Sequence, residues 1–233
     1  MVTALLTHVD DMLRMRGWGA AGARQSGALR RSAAYVVGFG LAYGAAMGSY
    51  AGIVGGRAWH DVLLQMSFSA VKVPLLLAVT CVVAMPSFFV LNTLFGLRDD
   101  FAAAVRAVAA TQAGVAVLLT SLAPLVIMWY LTSDAYVPAV MCNALMFAVA
   151  GISAQRLLHG HYRALIARNP KHRTMLRAWL GLYTFVGIQM GWMLRPFIGS
   201  PTEAVQFFRR EPFDNAYLIV LRLIGQLLRD FGA

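Results

Sequence analysis

Apolar residues fill this chain in five runs, 34–54, 73–95, 107–131, 136–158 and 178–194. Each is close to the roughly twenty residues that a helix needs to cross the hydrocarbon core of a bilayer. Polar residues between them come in short clusters. Thr132, Ser133 and Asp134 leave only a tight turn between the third and fourth runs, which makes those two helices antiparallel neighbours. Pro74 opens the second run, in a first turn where a missing N–H is unpaired anyway. Residues 60–70 before it read as an interfacial lead-in or an extension of the same helix. Asp99 and Asp100 suit the N-terminus that leads into the third run, by capping and by dipole. Two outer segments are amphipathic instead. Leu5, Leu6, Val9, Met12, Leu13 and Met15 follow helical spacing, and within 215–231 Arg222, Gln226 and Arg229 share one face. Both predict helices lying on a membrane surface. The pattern as a whole predicts an all-α, polytopic membrane helix bundle. Residues 1–32 form a cytoplasmic amphipathic helix and linker, 33–198 a five-span domain, and 199–233 a C-terminal interfacial segment.

Inside the first run, Gly40, Gly44, Gly48, Gly52 and Gly56 repeat at a spacing of four. Steps of four advance about 400° around a helix, so the row drifts by about 40° per step and slants across the surface. A partner crossing right-handedly follows such a row and approaches at backbone distance. Ala42, Ala45, Ala46 and Ser49 widen the smooth surface. Three occupants compete for it: another helix of the same chain, a second copy or subunit, and a pore. Packing within the chain is the first expectation.

Composition agrees with the pattern and adds an orientation. The chain of 233 residues is 59% hydrophobic and only 13% charged, with a mean hydropathy of +0.64. A soluble domain carries about a quarter charged residues. The formal charge of +10 points to anionic headgroups and not to nucleic acid. Lys and Arg counted on alternate sides of the five runs number thirteen, on the side of the N-terminus, and seven on the other. The positive-inside rule then places the N-terminus in the cytoplasm and the C-terminus outside. Abundant Ala and Gly, with arginine far in excess of lysine, fit a GC-rich bacterial genome and hence the bacterial cytoplasmic (inner) membrane. Cys81 and Cys142 lie inside apolar runs and read as small buried hydrophobes.

The candidate chemistry is sparse. All ten Asp and Glu, and all five His, fall outside the apolar cores. A proton relay, a bis-histidine haem or a zinc site within the spans therefore has no ligands there, and the expectation is no catalytic residue, no cofactor and no metal. His159, His161 and His172 cluster in a basic segment with Arg163, Arg168, Lys171 and Arg173. That segment reads as a solvated cytoplasmic stretch contacting anionic lipid. The amides Asn92, Gln112, Asn143 and Gln189 read as interhelical glue. Gln112 and Asn143 lie at opposite depths, so each should bond to a different helix and not to the other. Pro86 and Pro124 should kink their helices, with Thr120 and Ser121 re-satisfying freed backbone groups. Arg195 and Pro196 end the fifth run at the outer interface, between Trp192 and Phe197. Arg195, Arg209 and Arg210 are the candidate outer docking patch for a partner or for headgroups.

The segment AYGAAMGSYAG, in a chain with five spans and a cytoplasmic N-terminus, resembles the Ypt-interacting protein family of small five-span proteins. QMGWMLRPFIGSP, followed by FFR and NAY, is similar to a recurring segment of bacterial multi-pass proteins. The resemblance implies a five-span bundle, and in the eukaryotic members the binding of membrane-trafficking partners through cytoplasmic regions. No cytoplasmic motif here matches theirs, so that role does not carry over. The expectation is a non-enzymatic scaffold or accessory subunit whose partners are membrane lipids and other subunits or a second copy. The alternative is a channel or transporter for a neutral or lipid-like substrate.

Overall fold

In a bilayer, long runs of Leu, Val, Ala, Phe and Met leave the backbone no water to bond, and the α-helix pairs each N–H with a carbonyl of its own segment. A computed structural model of the protein describes Thr7, Asp10 and residues 27–200 and 203–208, and it is accordingly helical. The helices are α1 (Ala28–Gly48), α2 (Tyr50–Val54), α3 (Trp59–Leu94), α4 (Phe101–Thr132), α5 (Tyr136–Arg168) and α6 (Lys171–Met193), with a 3-10 turn at Arg98–Asp100. Four stretches, Ala28–Val54, Trp59–Leu94, Arg98–Thr132 and Tyr136–Arg168, are long and apolar enough to cross a membrane. The chain is thus a multi-pass membrane protein. The fifth run falls outside that set, because α6 opens on Lys171, His172, Arg173 and Arg177.

Short connections make successive long helices antiparallel. α1 lies against both α3 and α4, α5 packs on α4, and α6 packs on α3. Tyr43, Met47, Tyr50, Val73, Leu119 and Tyr130 fill the core toward the end where α2 lies. Phe88, Val108, Tyr162, Met175 and Trp179 fill it toward the other end, with the rings of Phe88 and Trp179 4.7 Å apart. Outward, α3 presents Val82, Val83, Val90 and Leu94, and α5 presents Val137, Met141, Leu145 and Ile152.

The glycine row faces α3 of the same chain. A Cβ built on Gly40 would stand 3.1 Å from the Pro74 ring, and one on Gly48 would stand 2.8 Å from the Met66 Cα. On Gly44 it would run into the backbone of Ser69 and Ala70, and on Gly52 it would lie 2.7 Å from the Val62 Cγ1. Over three steps, from Gly40 to Gly52, the row therefore follows one antiparallel partner, down α3 from Pro74 to Val62. Gly56 departs from it: it sits past the helix at φ 93°, with nothing within 4 Å. The helix itself breaks at Ser49, where Ser49 Oγ donates to the Ala46 carbonyl (2.8 Å) and Tyr130 Oη to the Met47 carbonyl (3.2 Å). Carbonyls at the break are thus met by hydroxyls instead of by the next helical turn.

Several expectations change. Residues 60–70 are an extension of the same helix, the second of the two alternatives: α3 runs unbroken from Trp59, so Pro74 lies well inside the helix and not in its first turn, and Lys72 is a helical residue. The Pro74 ring lies against Gly40, which has no side chain to displace. The basic segment between the fourth and fifth runs is no solvated loop. α5 continues to Arg168, α6 starts at Lys171, and Tyr162, Leu165, His172, Met175 and Leu176 point inward. Asp100 precedes α4 without making a side-chain cap bond. Thr120 Oγ1 and Ser121 Oγ bond the Ala116 and Val117 carbonyls, one turn before those that Pro124 affects. The amphipathic helices expected at both ends lie outside the described residues, apart from Thr7 and Asp10.

The contact makes a graded prediction. Gly44→Ala should lower unfolding stability in detergent by about 1–3 kcal/mol, as overpacking does, and Gly44→Leu should abolish the fold. Gly38→Ala, where nothing lies within 4 Å of the added carbon, should be neutral or gain up to about 1 kcal/mol of helix propensity. Equal thermal shifts at the two positions would refute the close approach.

Candidate functional site

Gln65, Ser69 and Lys72 are spaced four and three apart on α3, which sets them on one helix face. All three are buried, at 1%, 0% and 0% exposure. The segment that covers them follows α6. Lys72 Nζ donates to the Pro196 carbonyl (2.6 Å), and Gln65 Nε2 donates to the Phe197 carbonyl (3.2 Å) and to Ser69 Oγ (3.0 Å). Ser69 Oγ donates to the same Phe197 carbonyl. Beyond them, Tyr136 Oη donates to the Ile198 carbonyl (3.3 Å), and Arg57 donates to the carbonyls of Ser200 (2.8 Å) and Glu203. Arg57 also lies 3.8 Å from Asp61. Every one of these strap contacts engages a main-chain carbonyl. A non-helical segment buried in a membrane protein has to find such donors or leave its backbone unpaired.

Lys72 lies deep. Gly40 faces Pro74 and Gly44 faces Ser69, so Lys72 is level with the middle of α1. Eleven residues separate it from Asp61 on α3, about 16 Å at helical rise. Antiparallel register places it a similar distance from the level of Arg31. Among the described residues its ammonium has no carboxylate partner; the ring of Phe207 stands 4.8 Å from Nζ. Gln65 Oε1, packed against Gly199, accepts no hydrogen bond among the described residues. The Arg195 guanidinium stacks 3.2 Å over the Trp192 ring at its own helix end and is half-buried.

A second polar set ties α1, α4 and α5 together. Tyr43 Oη donates to Asn143 Oδ1 (3.2 Å), and Asn143 Nδ2 donates to Tyr130 Oη (2.7 Å) and to the Ala139 carbonyl (2.9 Å). Tyr50 Oη donates to the Asp134 carbonyl (2.5 Å). Gln112 Oε1 accepts from Tyr183 Oη on α6 (2.8 Å), so Gln112 and Asn143 do bond to different helices. At the opposite end, His172 Nε2 lies 3.0 Å from Asp100 Oδ2, and Arg168 lies 3.7 Å from the other carboxylate oxygen. This pairing draws Asp100 away from capping α4. Arg163, Arg168, Lys171 and Arg173 are exposed there, a basic surface at one end of the bundle. Arg209 and Arg210 lie outside the described residues. Cys81 and Cys142 are free thiols.

The sequence reading missed Lys72, Gln65, Ser69, Arg57 and the tyrosines. The signal was present: 65, 69 and 72 form a polar stripe on one helix face, and starting the second apolar run at residue 73 left all three outside it. No family model, curated protein or solved structure matches the chain.

Hydrogen bonds inside membrane proteins average about 0.6 kcal/mol and reach about 1.7. Tyr43→Phe should therefore destabilise by less than about 1 kcal/mol. Asn143→Ala, which removes three bonds, should cost clearly more, read by thermal unfolding in detergent.

Proposed function

We propose that the chain is a non-enzymatic, five-span scaffold or accessory subunit of a larger complex in the bacterial cytoplasmic membrane, with its N-terminus in the cytoplasm. One observation supports this most: inside the bundle Thr120 and Tyr130 tie α4 to carbonyls of α1, Asn143 ties α5 to Tyr43 and Tyr130, and Lys72, Gln65 and Ser69 tie α3 to the strap. Such side chains lock the parts of the chain to one another, which is what a rigid framework requires. The outer faces carry large apolar residues, Leu63, Val82 and Leu94 on α3 among them, available to lipid or to neighbouring subunits. In this reading α6 and the strap that continues it past Lys72 together supply the fifth crossing, with the basic first turn of α6 at the cytoplasmic interface. Arg163, Arg168, Lys171 and Arg173 contact anionic headgroups, and further subunits or a second copy take the apolar sides. The five-span arrangement is what the resemblance to the Ypt-interacting family implies.

A specific observation favours the second reading, a channel or transporter for a neutral or lipid-like substrate. α6 ends within the bundle, and its chain continues as non-helical backbone at the depth of Lys72. Interrupted helices at that depth are where transporters place their sites.

Native mass measurement of protein extracted in mild detergent tests the scaffold reading. Stoichiometric partner subunits or a defined oligomer are expected. A monodisperse monomer that carries nothing else would overturn it.

A further inference from the structure

One face of α5 changes character along its length. Leu145, Val149, Ile152, Arg156, His159 and Arg163 follow steps of four and three, so at 3.6 residues per turn all six fall within about 40° of one line. All six are exposed, while Leu157, Leu158, Tyr162 and Leu165 turn inward. The line is apolar as far as Ile152 and carries nitrogen donors from Arg156 onward. Beside its apolar half runs a lane of small residues, Ala144, Ala148 and Gly151, with nothing within 4 Å of a Cβ built on Gly151. Eleven residues separate Leu145 from Arg156, about 16 Å at helical rise. That matches one leaflet's share of a hydrocarbon core about 30 Å thick.

No carboxylate answers these arginines. Residues 135–202 contain no Asp or Glu, and at this end of the bundle Asp100 is taken by His172 and Arg168. Arg156 and Arg163 make no ion pair among the described residues. They stand two turns apart with His159 between them, and two guanidiniums and an imidazole can all donate to the oxygens of one phosphate diester. A second copy of the chain suits the face less well. Two such faces related by a two-fold along the membrane normal would set Arg156 against Arg156 and Arg163 against Arg163. We propose that this face of α5 binds one anionic phospholipid, its phosphate held by Arg156, His159 and Arg163 and an acyl chain lying along Leu145, Val149 and Ile152. The proposal rests on the reading above that the basic end meets anionic headgroups, and it picks out one residue set for that contact.

Native mass measurement counts the lipids bound to the full chain in neutral detergent as dioleoyl phosphatidylglycerol or dioleoyl phosphatidylcholine is added. Wild type should take up a first phosphatidylglycerol several-fold more readily than later copies or phosphatidylcholine. Arg156→Gln with Arg163→Gln should weaken that first uptake roughly thirtyfold, the effect of two arginines beside an anionic headgroup. Arg30→Gln with Arg98→Gln removes the same charge from exposed positions outside α5 at the same end, and should leave the uptake within a few-fold of wild type. Gly151→Leu fills the lane where the fold leaves open space, and should weaken uptake without lowering Tm. A wild type with no preference for phosphatidylglycerol would overturn the headgroup reading and the proposal together. A preference that the Arg156 and Arg163 variant keeps would overturn the proposal alone. So would displacement of the lipid by free glycerol phosphate. So would an Ile152→Cys chain, with Cys81 and Cys142 replaced by serine, that oxidises fully to a linked dimer in membranes, since the face would then belong to a second copy.

Discussion

Two helices of this protein touch at backbone distance, and the remaining architecture follows from that contact. In lipid there is no hydrophobic gain from bringing apolar helices together, so association rests on close packing and interhelical hydrogen bonds. α1 sinks onto α3 because Gly44 and Gly48 have no Cβ to hold it away from Ser69, Ala70 and Met66. That position lets α4 reach α1 from the other flank: Thr120 Oγ1 bonds the Phe39 carbonyl at 2.7 Å and Tyr130 bonds that of Met47 at 3.2 Å. Bonds of this length do not survive a displacement of even one ångström. A side chain at Gly44 therefore acts on α4 and α5 as well as on α3.

Ser69 joins this contact to the second constraint. Its backbone meets α1 at Gly44, while its hydroxyl turns to the Phe197 carbonyl. After α6 the chain leaves helical geometry, and its carbonyls need donors that helix would otherwise have supplied. Lys72, Gln65, Tyr136 and Arg57 provide them in succession, from the middle of the bundle out to the turn after α2. A lysine at that depth is unfavourable unless its charge is met, which is why membrane-buried ionisable groups mark functional positions. Here the Pro196 carbonyl and the Phe207 ring meet it, and packing and site share the same few residues of α3.

Much of the fold was legible in the residue pattern. The long apolar runs, the tight turn at Ser133 and the slanting glycine row correspond to helices, a turn and a packed face in the structure. What misled was the rule that a charge ends a span. The second run starts only after Lys72, and the basic residues after 158 read as a solvated stretch, yet α3 and α5 continue through them, because helical hydrogen bonding does not depend on side-chain polarity. Hydropathy also says nothing about which partner a polar residue finds. Gln65, Ser69 and Lys72 had the right spacing, but their partners are carbonyls more than 120 residues away, carried by Pro196 and Phe197. The pairing of His172 with Asp100, 72 residues apart, is equally invisible to local pattern.

The central claim, that the glycine row is closed by α3 of its own chain, is open to a direct cross-link. A Cβ at Gly52 lies 3.7 Å from the Val62 Cβ, close to the separation of about 3.8 Å found in disulfides. With Cys81 and Cys142 replaced by serine, the pair Gly52→Cys and Val62→Cys should oxidise readily in membranes. The product should migrate as a monomer and yield a single linked peptide pair on digestion. A dimer joined between chains, or two thiols that stay reduced under conditions that oxidise a surface control pair, would contradict it.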